Sequence, residues 1–118
     1  MMIRRCNLLS HAWLVLILLP FTLWAKTKEF HLTIENHVFT PSELKVPVNE
    51  KVKLIIHNKD NVAEEFDSFD LNREKVLFPG RKTTIFIGPL QEGRYEYFGE
   101  YNPNTARGVI LVEVNHAD

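Results

Sequence analysis

From Phe30 onward the chain is written in short stretches that alternate apolar and polar residues, each closed by turn chemistry. Phe30, Leu32 and Ile34 alternate with His31, Thr33 and Glu35, the period-two pattern of a strand with one buried face. Leu44, Val46 and Val48 repeat it, with Pro47 marking an edge or a bend. Val52 to His57 is the strongest strand, ended by the polar turn Asn58 to Asn61. Further runs at Phe66 to Leu71, Thr83 to Ile87, Arg94 to Phe98 and Val109 to Val114 bring the expected total to about seven strands. Asn36-His37, Pro79-Gly80 and Glu92-Gly93 supply turns between them. Turn signals at roughly 8–12-residue spacing fit an all-β sandwich. No amphipathic helix is written anywhere; Asp70 to Lys75 is expected to hold one short helical turn with Asp70 as N-cap.

The first 25 residues do not belong to this pattern. Arg4 and Arg5 form a positive start, and Leu14 to Trp24 is an apolar run interrupted only by Pro20 and Thr22. Ala25 is a small residue where a signal peptidase can cut, although Leu23 is bulky for its position. The run is short beside the roughly 20 residues a membrane-spanning helix needs. The expectation is a cleaved signal peptide from Met1 to Ala25, a single domain from Lys26 to Asp118, and a periplasmic location.

Cleavage would remove Cys6, Met1 and Met2, which are the chain's only sulfur-bearing residues. A domain from Lys26 onward has no disulfide, no thiolate or thioether ligand and no redox thiol. It keeps all 15 acids of the chain but loses Arg4 and Arg5, so it is mildly acidic. With no basic stripe and no phosphate loop, no nucleic-acid partner is expected. Ser42 and Ser68 are the only serines after the signal, and neither sits in a nucleophile elbow.

The order of motifs resembles the cupredoxin superfamily over nearly the whole of Lys26 to Asp118. Phe39-Thr40-Pro41, Leu44-Lys45-Val46-Pro47, Val52-Lys53-Leu54 leading to Asn58, Pro79-Gly80, Gly93-Arg94-Tyr95-Glu96-Tyr97 and Gly108-Val109-Ile110-Leu111-Val112 carry the likeness. The resemblance implies a Greek-key sandwich. It also implies where copper-binding members keep their ligands: the first His position falls on Glu64, the Cys on Gly99, the second His on Asn102 and the Met near Ala106. A blue-copper centre needs a His₂Cys set, so blue-copper electron transfer is not expected. Ala63-Glu64-Glu65-Phe66-Asp67-Ser68, Asp70-Leu71-Asn72-Arg73-Glu74-Lys75 and Phe98-Gly99-Glu100-Tyr101 further resemble the small EfeO-type cupredoxin-like proteins. That likeness implies a periplasmic accessory of an inner-membrane ferrous-iron permease system. Related members often have His where this chain has Asn102, and Asp where it has Asn104.

Glu64, Glu65, Asp67 and Asp70 lie within seven positions, and the expected hairpin brings Glu96 and Glu100 alongside. On a strand Glu64 and Asp70 share one face, and Glu65 and Asp67 the other. Hard oxygen donors suit iron, manganese or calcium better than Cu(I). The candidate metal ligands are therefore Glu64, Glu65, Asp67 and Glu100, with His37, in a turn, as the most ligand-like imidazole; the ion expected is iron or copper. Two plainer readings stand beside this one. The acids can be a solvated face balanced by Arg73, Lys75 and Arg107, or Glu64 or Glu100 can pair internally with Arg73 or Arg107. His31 and His57 are expected as ordinary strand residues and His116 as a terminal one. Tyr95, Tyr97 and Tyr101 are expected at the core and rim, with Tyr101 a conceivable phenolate for Fe(III). Three functions follow: an iron- or copper-handling accessory of the permease, a metal-free docking module of a membrane complex, and, least supported, a ferroxidase.

Overall fold

The computed structural model describes Met2, residues 12–21 and residues 26–114. Cys6, Ala25 and His116 lie outside the described residues, and so does the expected cleavage point. Residues 12–21 carry no regular secondary structure. No helix among the described residues is long and apolar enough to cross a membrane.

Among the described residues nine strands form, rather than seven: β1 (Glu29–Glu35), β2 (Val38–Thr40), β3 (Glu43–Pro47), β4 (Val52–Asn58), β5 (Glu64–Ser68), β6 (Arg73–Leu77), β7 (Lys82–Ile87), β8 (Gly93–Gly99) and β9 (Arg107–Glu113). They build one sheet in the order β2-β1-β4-β7 and a second in the order β3-β9-β8-β5-β6. Pairs β1–β4 and β3–β9 are parallel and the rest antiparallel. The two extra strands are β2 and β6. β2 is only three residues long, too short to show a period. β6 replaces the helical turn expected over Asp70 to Lys75. Its residues Arg73, Glu74 and Lys75 are all polar because β6 is a sheet edge with only Leu77 turned inward, so the alternation that betrays a half-buried strand is missing. Charge on an edge strand also discourages pairing with other chains. Asp70 and Leu71 lie instead in a tight turn that ends at Asn72 in the left-handed region (φ 51°).

Between the sheets the inward faces of β1 (Leu32, Ile34) and β4 (Val52, Leu54, Ile56) meet Phe66, Tyr97, Ile110 and Val112 from the other layer. Phe39 meets Tyr97 edge-on at 5.2 Å, and Phe66 stacks on Tyr97 at 5.1 Å between centroids. Burial pushes the Tyr97 phenol far above its ordinary range, and its hydroxyl reaches towards the Pro41 carbonyl. Opposite Tyr97 in register sits Gly108, whose missing side chain leaves room for the phenol; a Cβ there would run into the Tyr97 hydroxyl. Gly108→Ala is expected to destabilise the domain by about 1–3 kcal/mol through overpacking, read as a lower urea midpoint.

One buried polar group organises the end of this core. Asn58 is fully buried; its amide donates to the Val62 and Leu77 carbonyls at 2.9 and 3.0 Å, and its Oδ1 accepts from the Asp60 amide at 2.9 Å. Asp60 in turn accepts from the amides of Asn36 and His37, the two left-handed residues of the β1–β2 turn. The β4–β5 loop therefore fixes the point at which β5 enters the sheet.

Candidate functional site

β5 distributes its acids by strand period. Glu64, Phe66 and Ser68 face inward and are buried, while Glu65 and Asp67 face outward and are half-buried. Asp70 falls beyond the end of the strand, where its carboxylate accepts from the Glu96 amide at 2.8 Å. The acids thus divide into two separate places.

The inner place is a single carboxylate. Glu64 is only 2% exposed. Its Oε1 accepts from the amides of Glu65 at 2.8 Å and Tyr101 at 2.9 Å, and its Oε2 accepts from Asn102 Nδ2 at 2.8 Å. All three partners are donors, which suits a group that can only accept. Gly99 and Ala106 close around it. A Cβ on Gly99 would stand 2.6 Å from Glu64 Cδ and 2.7 Å from the Ala106 side chain. The four positions singled out in the sequence, Glu64, Gly99, Asn102 and Ala106, do converge, and a hydrogen-bonded carboxylate fills the space between them. The loop they share carries its own ladder, with Gly99 N donating to Ala106 O and Ala106 N to Asn102 O. Among the described residues no arginine joins it. Arg73 donates to the carbonyls of Phe86 and Asn72, and Arg107 lies over the Phe98 ring.

The outer place is a group of three. Glu65 and Asp67 on β5 are joined by Glu74 from β6, and one potential ligand atom from each lies within 4.8 Å of the others. Register explains the third member, because Asp67 stands directly opposite Glu74. Like charges facing each other across a ladder repel. The Glu65 carboxyl is held above its usual range, chiefly by hydrogen bonding with Glu74, then by lost hydration and by the Glu74 charge, while Tyr101 pulls the other way. Tyr101 is itself pushed upward, first by lost hydration and then by the charge of Glu65, with Glu64 and Glu100 adding to it. A phenol raised in this way disfavours the phenolate form.

Glu100 and His37 are placed elsewhere. Glu100 is exposed, and its backbone amide binds the Glu65 carbonyl at 2.9 Å. His37 is half-buried in the β1–β2 turn, with Nδ1 3.8 Å from Asp60 Oδ2. Of the five expected ligands, the structure brings Glu65 and Asp67 together, turns Glu64 inward and leaves Glu100 and His37 outside the group. Glu74 was not among the expected ligands; only the β5–β6 pairing reveals it.

The Glu65–Glu74 contact carries a pH signature. A carboxyl whose folded pKa is raised contributes stability below its unfolded pKa and loses it as pH rises through the folded value. Glu74→Gln should therefore match the parent protein near pH 4 and exceed it in urea midpoint near pH 7. A constant difference across that window would deny the repulsion.

A twisted nine-strand sandwich with two parallel pairs and this convergence of loops defines the fold class. The chain belongs to the cupredoxin-like domain family, whose sequence profile matches residues 8–112. It is 45% identical over 84 residues to the uncharacterized protein RP394 of Rickettsia prowazekii (strain Madrid E), covering 71% of this chain and 67% of that one. Among solved structures it is similar to a purple cupredoxin from Nitrosopumilus maritimus (TM-score 0.55, 22% identity, 70% of this chain and 98% of that one). It is also similar to auracyanin A, a blue copper protein of Chloroflexus aurantiacus (TM-score 0.64, 11% identity, 75% of this chain and 100% of that one).

Proposed function

We propose that this protein is a periplasmic metal-handling accessory of an inner-membrane ferrous-iron uptake system, and that it takes its cation on the outer face of the β5–β6 hairpin. The observation that carries the reading is the approach of Glu65, Asp67 and Glu74 to within 4.8 Å. Three carboxylates on one face offer the hard oxygen donors that iron accepts and Cu(I) does not favour. A divalent ion there would also offset the Glu74 charge, which adds to the hydrogen bond and lost hydration that hold Glu65 high. Iron in this reading is cargo, held at the surface and passed on to the permease.

Copper, which the fold's solved neighbours suggest, fits the inner place poorly. Glu64, Gly99, Asn102 and Ala106 provide neither sulfur nor imidazole, and every Glu64 oxygen already accepts a hydrogen bond. This supports a protein without a blue-copper centre.

A second reading, a metal-free docking module, is favoured by a groove of about 540 Å³ beside the acids. Exposed Phe69, Arg94 and Arg107 line it together with the half-buried Phe98, and aromatic and arginine side chains are common anchors of protein interfaces. Ferrous-iron uptake by cells carrying Glu65→Gln, Asp67→Asn and Glu74→Gln together separates the two. The iron-handling reading expects uptake to fall to the level of cells lacking the protein. Undiminished uptake would leave the docking module as the function.

A further inference from the structure

We propose that Glu64 is a positioning residue: its carboxylate, and no ion, fastens β5 to the β8–β9 loop. The argument is independent of the outer acids. Two segments that must meet at this end of the sandwich send three donors to the same carboxylate: the start of β5 gives the Glu65 amide, and the β8–β9 loop gives the Tyr101 amide and the Asn102 side chain. The group is almost completely buried, and no buried side-chain polar atom among the described residues is left without a partner. A satisfied network of this kind specifies one arrangement, whereas an orphaned donor in the same place would be expensive.

The surroundings are shaped to the carboxylate and not to an ion. Gly99 has no room for any side chain while Glu64 occupies the site, and Ala106, fully buried, presses on the same point. A cation entering here would have to displace the Tyr101 and Asn102 donors and would gain one carboxylate. Asn102 supplies its amide nitrogen to Glu64 Oε2, so its side chain is a strut.

Amide hydrogen exchange tests this on the protein as processed by the cell. After exhaustive chelation, and again after adding Cu(II) or, anaerobically, Fe(II), protection at Tyr101 and Ala106 should stay within about twofold of the untreated protein. Glu64→Ala should accelerate exchange at Tyr101 by about a hundredfold or more, with amides of β1 and β4 changing far less. Asn102→Ala, which removes one donor and keeps the fold, should accelerate it about tenfold. Glu64→Gln should stay close to the parent, because its amide oxygen still accepts the two backbone donors and Asn102 can turn its own oxygen to the new nitrogen. The proposal is overturned if chelation alone loosens Tyr101 by tenfold, or if Asn102→Ala leaves it unchanged. Should Glu64→Ala prove too unstable to purify, the chelation and Asn102→Ala results decide.

Discussion

Glu64→Ala is expected to lower the unfolding free energy by about 3 kcal/mol, the largest loss from any single surface-loop or site substitution in this domain. The change leaves the Glu65 and Tyr101 amides and the Asn102 side chain without their common acceptor in a place nearly closed to solvent. Each buried orphan costs on the order of 1–3 kcal/mol, and the cavity adds to it. Removing a buried carboxylate also removes its desolvation penalty, which keeps the total below the simple sum. For a domain of this size a loss of about 3 kcal/mol corresponds to a melting point lower by roughly 12–24 °C. Glu64→Gln, which keeps shape and acceptor, should lose about 1 kcal/mol. Urea unfolding of the three proteins measures the series, and equal stabilities for Ala and Gln would show that water replaces the carboxylate freely.

At the outer place, Fe(II) affinity is expected to fall about tenfold for each of Glu65→Gln, Asp67→Asn and Glu74→Gln, a loss near 1.4 kcal/mol per carboxylate. Binding should also weaken as pH falls, because the raised Glu65 carboxyl takes up a proton earlier than an ordinary glutamate and the proton competes with the ion. Anaerobic calorimetry at pH 7 and pH 5 reads both effects. The same substitutions should leave the fold intact, since the three side chains lie on the outward face. Glu74→Gln should even stabilise the apo-protein at neutral pH while weakening its hold on iron, an opposition that a purely structural role would not produce.

The strands with one buried face were legible in the sequence because burial writes itself as alternation. β4, with Val52, Leu54 and Ile56 inward, is the clearest case. β6 was illegible for the converse reason: an edge strand with Arg73, Glu74, Lys75 and Val76 exposed has no apolar face to alternate. That omission also hid the site. Glu65 and Asp67 share a face by period alone, but Glu74 reaches them through the β5–β6 register, which depends on the turn at Phe69 to Asn72. The inner place was found by resemblance to these four positions, but grouping Glu64 with Glu65 and Glu100 as ligands joined residues that the strand keeps on opposite faces. Strand period already separates Glu64 from Glu65, and the following Phe66 marks which of the two faces is the core. Asp60 escaped notice because its part, holding two left-handed residues 23 and 24 positions earlier in the chain, leaves no local signal.

The most direct test of where a cation is held is an anaerobic Fe(II) titration of the parent protein beside two variants, Asp67→Asn/Glu74→Gln and Glu64→Gln. The account expects the parent and Glu64→Gln to bind alike and the double variant to lose about a hundredfold. Binding that survives in the double variant and vanishes in Glu64→Gln would place the ion at the inner carboxylate and contradict the account.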